Sequence, residues 1–270
     1  MNNIKRTGIM GILNVTPDSF YDGGRYSSKE IALKHAVDMY NEGADIIDVG
    51  GESTRPGALQ VSVAEEIDRV CPVIEMICRE IPVVISIDTT KSEVARAAVS
   101  AGASIINDIS GLTFDPQIIE VAAENNTALV ISHIKGIPRD MQNNTDYDDL
   151  IKDILDFLTG NAENACNKGV GRDKIIIDPG IGFGKSLEQN YIIINELSRL
   201  TETGFPVLVG LSRKSLIGKL YEKDEDRLPA TIALNSAAVL NGADIIRVHD
   251  VKAHRLALES IDFLKKIRAD

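Results

Sequence analysis

The sequence predicts an α/β protein in which eight parallel strands close into one (β/α)8 barrel of the TIM type. Three observations carry this expectation. Short runs rich in Ile and Val recur eight times between longer amphipathic stretches. The runs are nearly continuous in apolar residues, as parallel strands covered on both faces require. The phrases EGADIIDVG, AGASIINDI and NGADIIRVH repeat one device, a helix ended by Gly just before a buried strand, where glycine supplies the left-handed cap.

In chain order the expected strands are GIMGILN (8–14), ADIIDVG (44–50), VVISIDT (83–89), ASIINDI (103–109), ALVISH (128–133), KIIIDPG (174–180), PVLVGLS (206–212) and ADIIRVHD (243–250). Apolar spacing marks helices most clearly over 28–43, 62–79, 91–102, 146–168 and 250–268. Barrels of this kind run to about 250 residues as one domain, so the 270 residues are expected to form a single domain, 1–270. An open doubly wound sheet would place a glycine-rich phosphate turn after its first strand; here NVTPDSF follows instead. GIGFGKS resembles a phosphate loop, but the GxxxxGK[ST] pattern needs Gly where Pro179 stands.

Composition narrows the function. Hydrophobic residues make up 44% and charged residues 26%, the balance of a globular protein with an aliphatic core. The 29 Lys and Arg against 40 Asp and Glu leave a net charge of −11, which excludes a broad nucleic-acid face. Any anionic ligand must therefore meet a few localised cations. No apolar run approaches the roughly 20 residues of a membrane span, and the start MNNIKRTG does not read as a signal peptide, so the expected address is cytoplasmic. Cys71, Cys78 and Cys166 form no CxxC pair and are expected to be structural.

In a barrel of this type the chemistry sits where strands end. Those ends are polar: Asn14, the run Glu52 to Arg55, Asp88, Asn107, His133 with Lys135, Asp178, Ser212 to Lys214, and Arg247 with His249. Any one of them alone reads equally well as a helix cap or turn residue. Eight such rims together are hard to explain by capping. Asp88 and Asp178 end apolar strands and should face the barrel mouth, where carboxylates pair with the N–H donors of a flat heterocycle bearing an exocyclic amine, Asn107 beside them. The same acids could instead serve general acid and base chemistry. Arg55, Lys214, Arg247 and His249 gather positive charge, as a phosphate or diphosphate requires. Asn14 is compatible with a magnesium ligand, since that ion leans mostly on water and substrate phosphates. NVTPDSFYDGG and GGESTRPGA read as mobile rim covers or, more plainly, as surface turns. His35 and His254 fall on expected helices and read as ordinary surface or packing residues.

The motifs GILNVTPDSF, GGESTRPGA, SIDTTKSEVA, INDISG, DPGIGFGK, VGLSRKS and RVHDV follow in that order across nearly the whole chain. In them the sequence closely resembles the dihydropteroate synthases, the folate-pathway members of the pterin-binding barrel enzymes. The resemblance implies that Asp88, Asn107, Asp178 and Lys214 hold a pterin ring, with Gly210 and Phe183 lining its slot. It implies diphosphate and Mg2+ at Asn14, Arg55, Arg247 and His249, and a p-aminobenzoate pocket shaped by Phe20, Thr54, Pro56 and Ser215. The implied reaction is attack of the p-aminobenzoate amine on the methylene carbon of 6-hydroxymethyl-7,8-dihydropterin diphosphate, with Asp88, Asp178, Lys214 and Arg247 as the catalytic set. A homodimer and a sulfonamide target are implied as well. Ser132 and Ile134 stand where the family commonly has methionines beside the His, and Leu216 where Phe is common. Two rivals share the pterin site: a pterin-dependent methyltransferase, which needs no diphosphate clamp, and a non-catalytic pterin-binding protein.

Overall fold

A computed structural model of the chain describes residues 6–16, 28–53, 61–137, 141, 144–214 and 227–269. All eight expected runs are strands: β1 Gly8–Asn14, β2 Ile46–Gly50, β3 Val84–Asp88, β4 Ile105–Asp108, β5 Ala128–Ser132, β6 Ile175–Asp178, β7 Leu208–Val209 and β8 Ile245–Val248. They pair in parallel in the order β6-β5-β4-β3-β2-β1-β8-β7. A parallel bridge between Ile177 and Val207 joins the two ends, so the sheet closes into the expected (β/α)8 barrel.

The five expected helices are present as α1 Ser28–Asn41, α2 Val63–Glu80, α3 Ser92–Ala101, α5 Leu150–Asn167 and α9 Val251–Ala269. Among the described residues four more, which apolar spacing marks less clearly, are α4 Ile118–Asn125, α6 Leu187–Asn195, α7 Ser198–Thr201 and α8 Arg227–Leu240. α4 and α7 are too short to show a period. α8 is apolar on most sides because it packs between α6 and α9 while Ala238 and Val239 join the main core. A sequence sign of α6 was available: Ser186 accepts from Gln189 N while Gln189 reaches back to Ser186 N, a full capping box. The first and last units are locked by buried Arg255 of α9, which donates to Thr7 O, to Gly43 O and to the Asp45 carboxylate.

Two apolar layers explain the continuous Ile and Val runs. Residues such as Ile47, Ile87, Ile106, Ile131, Ile177 and Val209 face outward into the main core beneath the helices. Their neighbours Met10, Ile46, Ile105, Val130, Ile176 and Leu208 plug the barrel interior. Strand side chains alternate between faces, so the next inward position along each strand is two residues on. Those positions are Asp48, Asn107, Ser132, Asp178 and Gly210, and the same parity on β1, β3 and β8 leads to Asn14, Asp88 and Arg247. The barrel therefore converts a two-residue repeat into a polar layer lying on an apolar floor. Among the described residues no helix is long and apolar enough to cross a membrane. The three cysteines are unpaired.

Candidate active site

An ion-pair network spans the mouth. Arg247 on β8 donates through Nε to Asp48 Oδ2 at 2.6 Å and through Nη2 to Asp88 Oδ2 at 2.6 Å. Asn107 Nδ2 donates to the same Asp48 oxygen at 2.9 Å. The sequence-predicted Asp88, Asn107 and Arg247 are thus brought together, through a residue that reading by strand ends missed. Asp48 is wholly buried one inward step below the end of β2. Its only sign in the sequence is a carboxylate inside an otherwise apolar run, at the spacing that faces inward.

Burial pushes the Asp88 carboxyl up to about 7; Arg247 pulls it down, while Asp48, Glu66 and Asp108 push it further up. Burial works against the charge of Arg247, yet Asp48 and Asp88 hold its pKa above the ordinary value. The guanidinium is a permanent cation at this rim, and Asp88 titrates near neutrality.

A second group forms across β6 and β7. Asp178 Oδ1 accepts from Gly180 N at 2.7 Å. Burial raises its pKa, opposed first by Lys214. Lys214 Nζ lies 4.5 Å from the centre of the Phe183 ring and donates to Ile181 O. Burial brings this ammonium down to about 8 against the pull of Asp178, and Arg247 lowers it further. A Cβ added at Gly210 would sit 3.7 Å from Arg247 Cβ and 3.9 Å from Lys214 Nζ, so this glycine keeps open the space between the two cations. Carboxylate, ammonium, a flat aromatic wall and a bare backbone position together suit a planar polar ring.

At the third sector Asn14 pairs in register with Gly50, and Gly50 with Asp88. A Cβ at Gly50 would lie 3.8 Å from both Asn14 Oδ1 and Asp88 Oδ2, so the two oxygens flank one spot. His249 is half-buried, its Nδ1 3.0 Å from Ser212 Oγ. Phe20, Thr54, Arg55, Pro56, Ser215 and Leu216 lie outside the described residues. Among those described, no group of three His, Cys, Asp or Glu is arranged to hold a metal ion.

His133 and Lys135 have supporting places. His133 packs edge-on against Phe157 at 5.0 Å, and burial with nearby Lys185 holds its pKa down to about 3. Neutral His133 accepts at Nδ1 from buried Lys185, which also donates to Gly180 O and Phe183 O. Lys185 therefore knits GIGFGK back onto the end of β5, the opposite of a phosphate-loop lysine, which reaches outward. Lys135 lies over the Tyr147 ring at 4.3 Å. His35 is exposed, and buried His254 of α9 bonds to Asp250 O just before the helix, as surface and packing residues do.

Fold and site define a barrel enzyme that holds a small polar ligand at the C-terminal mouth of its strands. The family model for pterin binding enzymes matches residues 10–249, and the chain belongs to that family. A dihydropteroate synthase from Synechocystis sp. is 50% identical over 251 residues, covering 92% of this chain and 87% of that protein. Dihydropteroate synthase from Clostridium difficile, crystallised in the presence of pteroic acid, matches with TM-score 0.91 and 44% identity over 98% of each chain. The Xanthomonas albilineans enzyme in complex with 7,8-dihydropteroate matches with TM-score 0.88 and 39% identity, over 97% of this chain and 95% of that one.

Proposed function

We infer that the chain catalyses the dihydropteroate synthase reaction of folate biosynthesis. The amine of p-aminobenzoate attacks the methylene carbon of 6-hydroxymethyl-7,8-dihydropterin diphosphate. A C–N bond forms, the C–O bond to diphosphate breaks, and the amine releases a proton. The observation that carries this reading, in a chain of this family, is the union at one mouth of two inward carboxylates with Arg247 and Lys214.

Asp88, Asn107, Asp178 and Lys214 are assigned to the pterin ring, with Phe183 and Gly210 as its walls. Their support is their common inward parity or contact with that layer. Ionised Asp88 and Asp178 accept from ring N–H donors and favour positive charge developing on the pterin as diphosphate departs. Arg247 and His249, with Arg55 and Asn14, are assigned to diphosphate, where fixed positive charge stabilises the leaving group. Phe20, Thr54, Pro56 and Ser215 are assigned to p-aminobenzoate on the strength of the sequence motifs that contain them.

Magnesium fits as an ion held chiefly by diphosphate and water: Asn14 offers one neutral oxygen facing the spot over Gly50 that Asp88 Oδ2 also borders, and the described residues build no cage. When bound it neutralises charge on the departing diphosphate. We assign the activity to one domain over residues 1–270, and a cytoplasmic address agrees with three unpaired cysteines. A homodimer is supported by exposed Ile192, Leu240, Leu256, Phe263 and Leu264 on the neighbouring helices α6, α8 and α9; sedimentation at equilibrium tests it.

Incubating the protein with the pterin diphosphate, p-aminobenzoate and Mg2+ yields 7,8-dihydropteroate and diphosphate. No product from well-folded protein overturns the reading, and methyl transfer to a corrinoid without diphosphate release turns it to the methyltransferase. Asp178→Ala weakens binding of the pterin, and Arg247→Ala chiefly weakens binding of diphosphate. Normal binding of both ligands by both variants refutes the division into subsites.

A further inference from the structure

Among the described residues three inward-facing oxygens of the barrel are buried without a hydrogen-bond partner: Asp48 Oδ1, Ser86 Oγ and Ser132 Oγ. A buried hydroxyl left unpaired destabilises a protein, so each calls for an explanation. Asp48 and Ser86 are register partners one inward step below the rim, beneath Asp88. Ser132 differs. It is the last residue of β5, the inward position directly after Val130 of the apolar plug, and its register partner is Asp178 itself. Asp178 Oδ1 is committed to Gly180 N, and the next residue, His133, is fixed through its backbone N to Asp178 O and through its ring to Lys185. The Ser132 hydroxyl is therefore held on a rigid strand end beside a rim carboxylate, with hydrogen-bonding capacity that the protein does not use.

We propose that Ser132 is a specificity-determining residue of the pterin site, its hydroxyl completing the contacts that Asp178 makes with the polar edge of the ring. This rests on the function assigned above. A hydroxyl both donates and accepts, so it can meet a ring nitrogen or an exocyclic amine next to the donors taken by Asp178.

Calorimetric titration with 6-hydroxymethyl-7,8-dihydropterin tests the assignment in wild type, Ser132→Ala and Ser86→Ala, together with ligand-free melting and the KM for p-aminobenzoate. Ser132→Ala binds the pterin about 5- to 10-fold more weakly, the effect of one neutral hydrogen bond. Its ligand-free melting temperature stays equal or rises, because an unpaired buried hydroxyl is gone, and the KM for p-aminobenzoate is unchanged. Ser86→Ala binds the pterin as wild type does. Equal pterin affinity in wild type and Ser132→Ala overturns the assignment. So does weakened binding accompanied by a lower ligand-free melting temperature, or the same loss in Ser86→Ala, since each marks a packing role. Failure of wild type to bind the pterin overturns the functional reading, and this assignment with it.

Discussion

Asp48→Asn isolates what the buried carboxylate contributes to the mouth. Asp48 uses only Oδ2, which accepts from both Arg247 and Asn107, while Oδ1 has no partner. An asparagine can place its carbonyl oxygen at the Oδ2 position and its amide at the Oδ1 position, keeping both contacts and removing only the charge. Arg247 retains Asp88, so the loss stays below the roughly 3–5 kcal/mol of stripping a buried charge of its partner. The Arg247 bond stays charge-assisted through the guanidinium but loses its anionic acceptor, and a buried amide is left unpaired, for a loss of about 2 kcal/mol. For a chain of this size that is a melting temperature lower by roughly 4–8 °C. The substitution also removes one of the groups that raise Asp88, so the acid limb of kcat/KM moves from near 7 to lower pH. Melting curves and a pH–rate profile read the two effects. A variant whose acid limb stays near 7 refutes the argument that Asp48 sets the charge of Asp88, whatever happens to its melting temperature.

Further outcomes follow from the same geometry. Wild-type kcat/KM is bell-shaped, rising as Asp88 ionises near 7 and falling as Lys214 loses its charge near 8, with both limbs belonging to the coupled set; Lys214→Arg removes the alkaline limb, and a profile flat from pH 6 to 9 contradicts this. The Asp88 carboxyl is raised on folding, so its contribution to ligand-free stability is full below about 4 and is lost as pH rises through about 7; Lys214 is lowered, so stability rises with pH between about 8 and 10.5. Urea midpoints across pH with Asp88→Asn as reference check the first slope, whose absence in wild type would refute it. Gly180→Ala places a Cβ 1.8 Å from His133 O at a φ of +67°, which costs about 3 kcal/mol or more; an unchanged urea midpoint refutes the clash. Lys185→Met strands Gly180 O and Phe183 O and frees His133 Nδ1, with a loss of about 2–4 kcal/mol and weaker pterin binding as Phe183 shifts. Normal pterin affinity in a destabilised variant separates the two roles.

Much of the site was legible because strand ends in a barrel are where chain position and spatial position coincide. Asp88, Asn107, Asp178 and Arg247 are inward residues at or near the ends of recognisable strands, so naming the strands nearly names the site. Asp48 escaped because it lies one step inside its strand, where local pattern shows only a charge among apolar residues. Lys185 escaped for the opposite reason: its motif resembled a ligand loop, and only the direction of its ammonium, toward three backbone carbonyls, reveals a structural post. α8 escaped because contacts on several sides erase the period that a one-sided helix displays.

The sequence by itself determined the barrel, the strand boundaries to within a few residues and the polar residue types at the strand ends. These are local properties: apolar runs, inward parity and glycine caps act over ten residues or fewer. Which carboxylate meets Arg247 was decided only by tertiary structure. Asp88 lies 159 residues away in the chain and Asp48 199 residues away, and closing the barrel with β8 beside β1 brings them to one guanidinium. The same closure removes water from both acids, which raises Asp88 toward 7 and turns a row of strand-end residues into a titrating site.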